Sequence, residues 1–400
     1  MAYQMQISVI RPGVLIIAIL AQGYLFVHIR RAIKSLPVSG RFKSVAAVLV
    51  GIAIFVLFSA NNHFMFNPVT PAWPLEKAQV ILLYASAIWT FGSILSAIVL
   101  LVVHFAGLLG RTAARTFHRV RRPVEPTPCN RGRRRFLEAG VFGLAAAPFA
   151  FMGYGAVLAD KQFEVRELAL PFGISMRVVQ LTDIHAGITM TREEIRRLAN
   201  LVIGLQPDLF VLTGDYISNS MMFLPGCLEE MARVRAPFGT FASLGNHEHW
   251  YGQLDNIRSI FSRSGIPLLL NAHEIVRCAR GDFAVAGIDD LRSGTPDLNA
   301  ALQGLDAGFP TILLSHRPEI FPTAAARGIS LTLSGHYHGG QVKLSLPTGD
   351  FSLANLVTPY PEGLYRSEAS NLYVSCGIGT TFAPVRLNVP PEITLLSLNA

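Results

Sequence analysis

N-terminal transmembrane helices followed by an α/β domain with two packed sheets are what this sequence predicts, and three observations carry the prediction. The chain is apolar: 51% of its 400 residues are hydrophobic and 15% are charged. The charge is divided by region. Residues 1–159 carry 16 Lys and Arg against Glu76, Glu125 and Glu138, whereas residues 160–400 carry 18 against 23 Asp and Glu. Finally, the second half alternates short strand-like and helix-like segments, with polar residues directly after the strands, where α/β domains place their ligand sites.

A helix needs about 20 apolar residues to span the hydrocarbon core. Residues 12–29, 44–60 and 78–109 qualify, and so does 136–159, whose one charged residue before Asp160 is Glu138. These segments are apolar all round, unlike the one-sided helices of a soluble domain. The expected organisation is three spans within 1–110, an Arg-rich cytoplasmic linker at 111–135, and a fourth span or signal anchor at 136–159. A catalytic domain follows at 160–400. Lys and Arg near span ends stay cytoplasmic. The loop with Arg30, Arg31, Lys34, Arg41 and Lys43 and the linker with nine Arg would therefore lie inside. The loop around Trp73, with Glu76 and Lys77, would lie outside, as would the domain, on the periplasmic or extracellular face of a bacterial inner membrane. Arg133-Arg134-Arg135-Phe136-Leu137 resembles a twin-arginine export signal, although a plain cytoplasmic basic cluster explains it equally.

In the second half, 177–182, 209–213, 240–244, 283–286, 311–314 and 329–333 read as buried strands. Residues 192–204, 227–234 and 254–264 read as helices, the first opened by the capping box Thr191-Arg192-Glu193-Glu194. Strands at 372–375 and 393–398 have no helix between them, which points to two packed sheets. No basic cluster of the kind that binds nucleic acid stands in this half. Cys129, Cys227, Cys278 and Cys376 lack a CxxC pair, so neither a zinc ribbon nor a disulfide framework is indicated.

The strands end on chemistry. Asp183-Ile184-His185 places a carboxylate and an imidazole within reach of one ion. Gly214-Asp215, Gly245-Asn246-His247-Glu248, Ser315-His316 and Gly335-His336-Tyr337-His338-Gly339-Gly340 follow at successive strand ends. Five His, two Asp and one Asn in that arrangement point to metal binding, where an isolated His would be an ordinary core residue.

The order Asp-x-His, Gly-Asp, Gly-Asn-His-Glu, His, Gly-His-x-His resembles the calcineurin-like metallophosphoesterases, from about Arg177 to the C-terminus. The segment 335–341, with 372–375 and 390–394, is similar to the bacterial YkuE/YaeI-like, membrane-associated branch. The resemblance implies a two-layer β-sandwich flanked by helices, and a dinuclear phosphoesterase. It implies Asp183, His185 and His338 around one metal, Asn246, His316 and His336 around another, and Asp215 bridging. His247 would then act on the leaving oxygen. The family often carries a second Asp three residues after the bridging one, where this chain has Ser218. Cys376 stands where the branch commonly has Arg.

Two divalent ions would activate a bridging water and clamp the phosphoryl oxygens. Mixed His, Asp and Asn ligation suits Mn²⁺, Fe or Zn²⁺. Arg317, Arg386 and His249 are candidate substrate contacts, with a structural ion pair the alternative for each Arg, and Asp289-Asp290 reads as a turn or as support behind the ligands. The apolar run Met221-Met222-Phe223-Leu224-Pro225 is either a membrane-facing lip or a helix start packed in the core. The expected partners are the lipid bilayer and a phosphate-ester substrate, either free or lipid-linked. Two other functions compete: cytoplasmic-face hydrolysis of a UDP-diacylglucosamine-type pyrophosphate, and an inactive membrane sensor or scaffold.

Overall fold

The computed structural model describes residues 2–66, 77–120, 131–157, 162–347, 349–381 and 383–400. The loop around Trp73, and Arg121, Arg122 and Cys129 of the linker, lie outside them. The chain divides into two units, one of them helical from Ile7–Phe66 and Lys77–Tyr154.

The helical unit contains α1 (Ala2–Ser35), α2 (Gly40–Phe66), α3 (Lys77–Val120) and most of α4 (Arg131–Val157). Each holds a stretch long and apolar enough to cross a membrane: Pro12–Ser35, Gly40–Phe64, Ala78–Ala113 and Phe136–Ala156. Their outward faces carry Ile, Leu, Val and Phe, which suits a hydrocarbon solvent. Where α3 meets α4 a small residue permits close approach: a Cβ on Gly92 would fall 2.6 Å from the Phe149 ring. Ser96 Oγ donates to the Ala145 carbonyl at 2.8 Å across the same contact.

The second unit is a sandwich of two sheets. Its strands are β1 (Glu164–Pro171), β2 (Met176–Leu181), β3 (Leu209–Thr213), β4 (Thr240–Ser243), β5 (Ala272–Val276), β6 (Phe283–Gly287), β7 (Thr311–Leu314) and β8 (Leu331–Ser334). They continue with β9 (Lys343–Leu346), β10 (Gly349–Ser352), β11 (Gly363–Ser367), β12 (Ser370–Val374) and β13 (Glu392–Asn399). One sheet runs β1-β13-β2-β3-β4, the other β11-β12-β8-β7-β6-β5, and β9 and β10 form a separate hairpin. The helices are α5 (Arg192–Gly204), α6 (Leu224–Met231), α7 (Asn246–Tyr251) and α8 (Leu254–Ser264), with shorter ones at Leu298–Ala301 and Phe321–Ala326.

Side chains alternate faces along a strand, and here both faces are buried. In β2, Met176 and Val178 enter the core between the sheets with Phe283, Val285, Ile312, Leu314, Leu331 and Leu333. Val179 and Leu181 face the opposite way, onto Ile195, Leu198 and Val202 of α5 and Leu228 of α6. Leu313 and Ala286 of the second sheet turn outward to Ala301 and Ala324. The predicted layered fold is the observed one, helix on sheet on sheet on helix.

Thr191 caps α5 as its sequence predicts, its side chain accepting from Glu194 N while the Glu194 carboxylate reaches back. Residues 221–225 pack as a helix start: Leu224 is buried, and Met221 and Phe223 rest on the helix-side core. The parallel strands position the site. β2, β3 and β4 are mutually parallel, as are β6, β7, β8 and β12. Each set therefore delivers its C-terminal ends to one edge. Gln180 joins the sheets there, its Nε2 donating to Thr213 Oγ1 at 2.9 Å and to the Ser334 carbonyl at 3.0 Å.

β13 lies between β1 and β2, parallel to the first and antiparallel to the second. Deleting residues 392–400 would strip both neighbours of their ladder and expose Ile393, Leu395, Leu396 and Leu398 sites in both cores. Limited proteolysis of the detergent-solubilised chain should then show the catalytic unit degraded throughout, and not merely trimmed at its end.

Candidate metal centre

The loops that carry the site continue the sheet ladder beyond the strands. Asp183 N donates to the Gly214 carbonyl at 3.0 Å and His185 N to the Asp215 carbonyl at 3.0 Å, while Gly335 N bonds the His316 carbonyl at 3.0 Å. Within these loops the backbone takes a costly turn. Asp183, His185, Asp215, His336 and His338 have φ of 53°, 50°, 54°, 75° and 52°. A side-chain-bearing residue in this left-handed region costs roughly 1–2 kcal/mol. Five at one edge mark a place where geometry serves something other than stability.

Asp215 stands at the middle. Its Oδ1 accepts from His247 N at 2.9 Å. Its Oδ2 lies 3.2 Å from His316 Nε2, 3.7 Å from His185 Nε2 and 3.9 Å from His247 Nε2. On one side His185 Nε2 and His338 Nε2 approach to 3.1 Å, and Asp183 Oδ1 lies 3.3 Å from His338 Nε2 and 3.8 Å from His185 Nε2. On the other, His316 Nε2 lies 3.2 Å from His336 Nδ1. Asn246 Oδ1 joins this side through Arg317, whose Nη2 is 3.3 Å away and whose Nη1 is 2.5 Å from His336 Nε2. The ligand atoms fall into clusters able to hold an ion: Asp183, His185 and His338, then Asp215, His316 and His336, with His185, Asp215 and His247 between them.

In three of the rings the remaining nitrogen fixes the tautomer, whereas His336 Nε2 and His338 Nδ1 face the guanidinium groups of Arg317 and Arg386. Nδ1 of His185, His316 and His247 faces the carbonyls of Ile217, Thr213 and Ser218 at 3.2, 2.9 and 2.5 Å. A carbonyl only accepts, so each Nδ1 carries the hydrogen and each Nε2 lone pair turns to the centre. Burial, then the neighbouring His247, lowers the His185 pKa to about 3; burial likewise lowers His338 to about 3 and pushes His336 well down. Neutral imidazoles are what metal ligation requires. Burial opposes charge on His316 too, but Asp215 and Asp183 raise its pKa to about 10. Burial disfavours the Asp215 carboxylate, yet His316 and His247 hold its pKa well below the usual range.

The set fits a divalent cation on a further count. Asp183 Oδ2 accepts from Thr182 Oγ1 at 2.7 Å and His336 N at 3.0 Å, whereas its Oδ1 is buried without a hydrogen-bond partner. A buried carboxylate oxygen so placed is costly unless a cation completes it.

Residues 176–340 match the family model of the calcineurin-like phosphoesterases. Over 286 residues the chain is 30% identical to YkuE, an uncharacterized metallophosphoesterase of Bacillus subtilis, covering 67% of this chain and 98% of that one. The chain is a calcineurin-like metallophosphoesterase. It is also 32% identical over 265 residues to a transmembrane protein with metallophosphoesterase domain from Danio rerio, covering 61% of this chain and 59% of the relative. A metallophosphoesterase of Helicobacter pylori is 29% identical over 277 residues, covering 67% and 72%.

Around the candidate ligands of this metallophosphoesterase, several side chains act as braces. Glu248 is fully buried and accepts from the backbone N–H of Asp215 and Gly245, both at 3.0 Å, and of Tyr216 and Ile217 at 2.8 and 3.3 Å. Its reach back to Gly245 is a capping-box contact that the Gly-x-x-Glu spacing carried in the sequence. Asp289-Asp290, read as a turn, does more than turn the chain: Asp290 Oδ1 accepts from Arg317 Nε at 2.9 Å and so aims that guanidinium at Asn246 and His336. The sequence offered an ion pair for Arg317 and a supporting role for Asp289-Asp290 as alternatives, without naming them as partners.

Three expected substrate contacts are placed differently. Arg386 is 0% exposed, and its guanidinium donates to the carbonyls of Gly379, Val389, Cys376 and Gly377. It braces the loop behind His338 and is not presented to a substrate. Arg317 is 5% exposed and committed to Asp290. His249 turns to Asp289 Oδ1 at 2.5 Å, and it is Trp250 whose ring flanks His247, with centroids 4.8 Å apart. Cys376, standing where the branch commonly has Arg, is buried and bonds Glu362 Oε2 at 2.9 Å, while Lys343 supplies the cation to that carboxylate. Burial raises the Cys376 thiol well above the usual range.

Glu248→Gln keeps the shape but points an NH₂ at backbone donors whichever way the amide lies. Loss of about 1–3 kcal/mol is expected from the unmatched buried donors. Thermal unfolding should register it, and metal analysis of the purified variant should show reduced occupancy.

Proposed function

We propose that the catalytic domain hydrolyses a phosphomonoester or phosphodiester with two divalent ions, and that the substrate is a lipid or another cell-envelope metabolite. The observation that carries the first part is Asp215 Oδ2, set between a cluster of Asp183, His185 and His338 and a cluster of His316 and His336. Asp183, His185 and His338 would hold one ion, Asn246, His316 and His336 the other, and Asp215 both. Ions bound there supply a nucleophile at neutral pH and offset charge on the phosphoryl oxygens.

The chain's own groups do the rest. His247 is 8% exposed, against 1% for His185 and His316 and 2% for His338, and of the five rings His336 alone is more open than it. Its Nδ1–H is held by the Ser218 carbonyl, where the family often carries Asp, and its Nε2 is turned toward Asp215. A second proton on Nε2 can pass to the departing oxygen. Trp250 and Tyr251 flank the ring, centroids 4.8 and 5.9 Å away, and limit its rotation.

The lipid or envelope substrate is supported by covalent attachment to four helices able to span a membrane. The basic loops argue for an exterior domain by the positive-inside tendency. Impermeant labelling of an exposed cysteine introduced at Asp306 in intact cells should succeed; labelling only after lysis would favour a cytoplasmic substrate such as a nucleotide-linked lipid pyrophosphate.

Purified full-length chain stripped of metal should regain hydrolysis of bis(p-nitrophenyl) phosphate or p-nitrophenyl phosphate when Mn²⁺, Fe²⁺ or Zn²⁺ is restored. His247→Ala should lower kcat by about 10²–10⁴-fold while metal content is kept. Asp215→Ala should lose both. A folded, metal-loaded chain inert to these esters and to lipid phosphates would favour a sensor or scaffold.

A further inference from the structure

The most exposed apolar side chains among the described residues of the catalytic unit lie away from residues 221–225. Leu344, Leu353, Leu356 and Val357 are 52%, 69%, 70% and 69% exposed. Among the described residues of 162–400, the next large apolar side chain is Leu201 at 47%. All four lie on one projection, the β9–β10 hairpin and the 3₁₀ turn Leu353–Leu356 that follows it. Residues three apart eclipse in such a turn, so Leu353 and Leu356 share a face and Val357 extends it, while Ala354 is buried beneath.

The projection is built and not frayed. Ser352 N and Oγ donate to Asn355 Oδ1 at 2.8 and 3.0 Å, and Val357 N donates to the Ala354 carbonyl at 3.0 Å. Both ends are fastened to the His336–Gly340 loop. A Cβ on Gly340 would come within 2.8 Å of Ser352 Cβ and 3.2 Å of Ala354 N. At the far end Thr358 Oγ1 donates to Glu319 Oε1 at 3.3 Å, and the same oxygen accepts from Tyr337 OH, between the two His.

Apolar side chains scattered singly on a surface need no explanation, but a rigid cluster marks a contact. The chain itself indicates the occupant. Seven residues separate the span-capable stretch ending at Ala156 from β1 at Glu164, a reach of at most about 25–30 Å. Helices inserted in a bilayer would therefore keep the unit tethered near it. Among the described residues the exposed apolar side chains here are Leu and Val, with Phe351 half-buried opposite Leu344, which is poor material for a protein hot spot, whereas apolar side chains of this kind enter the headgroup–acyl boundary.

We propose that Leu344, Leu353, Leu356 and Val357 dock into the lipid interface and bring lipid-borne phosphoesters to the loop carrying His336 and His338. The docking stands on exposure and tether; the presentation of substrate rests on the lipid reading above.

The test uses the full chain in nanodiscs of phosphatidylcholine and phosphatidylglycerol in equal parts. Leu356→Cys carries an environment-sensitive fluorophore in a Cys129→Ser, Cys278→Ser background, because Cys227 and Cys376 are buried. Docking predicts blue-shifted emission that acyl-brominated lipid quenches. Emission that stays aqueous and unquenched overturns the proposal, whatever the activity. In parallel, Leu353→Ser/Leu356→Ser/Val357→Ser should leave bis(p-nitrophenyl) phosphate turnover unchanged and raise KM for nanodisc-borne phosphatidic acid about tenfold. An unchanged KM overturns the presenting role. A quenched label on an enzyme that cleaves only the soluble ester upholds the docking and counts against the lipid substrate.

Discussion

A carboxylate buried among imidazoles, that of Asp215, is the constraint around which the catalytic unit is organised. An isolated buried charge is prohibitive, so it must be matched by charge or by well-aimed donors. Here both answers are used. Cations held by the surrounding imidazoles would supply the charge, and His247 N donates directly to Oδ1. A second carboxylate, Glu248, lies behind the first, and four backbone N–H groups hold it even though burial and the nearby Asp215 raise its pKa to about 7. Two negative groups at one strand edge form an environment that invites cations.

The surrounding structure yields to that arrangement. Gly245 and Gly335 have no room for a side chain, since a Cβ on either would meet Asp215 Oδ1 or Asp183 Oδ2 at 2.2 Å. The carboxylates occupy space that other residues would fill. The left-handed backbone at five ligand candidates is sustained because the sheet ladder runs past the strand ends into these loops. Gln180 ties the two sheets beneath them, while Arg386 and the Asp290–Arg317 pair brace the loops from behind. A fold that is rigid at this edge can hold strained residues there.

Much of this was legible locally. The β2, β3, β6 and β7 segments are short, buried on both faces and bounded by polar residues, so their apolar runs stood out. The span-capable helices were visible from length and uniform apolarity, and α5 from its capping box. What sequence could not supply was long-range pairing. β13 enters between β1 and β2 from more than two hundred residues away, and β1, with alternating charges Glu164, Arg166 and Glu167, does not read as a strand until β13 is beside it. Arg386 carried the chemistry of a phosphate contact, and only three-dimensional burial showed its donors turned to carbonyls. Residues 221–225 and 353–357 are both largely apolar in sequence. In the first Leu224 is buried with Met221 and Phe223 resting on the core, whereas Leu353, Leu356 and Val357 of the second project, a difference that no local pattern encodes.

The organising idea is that Asp215 would join two ion sites, each drawing ligands from both sheets. Electron paramagnetic resonance of the Mn²⁺-loaded full chain tests it most directly. An exchange-coupled multiline signal, replaced in Asp215→Asn by the spectrum of isolated Mn²⁺, is the predicted result. Isolated Mn²⁺ at full occupancy in the unsubstituted chain would contradict it.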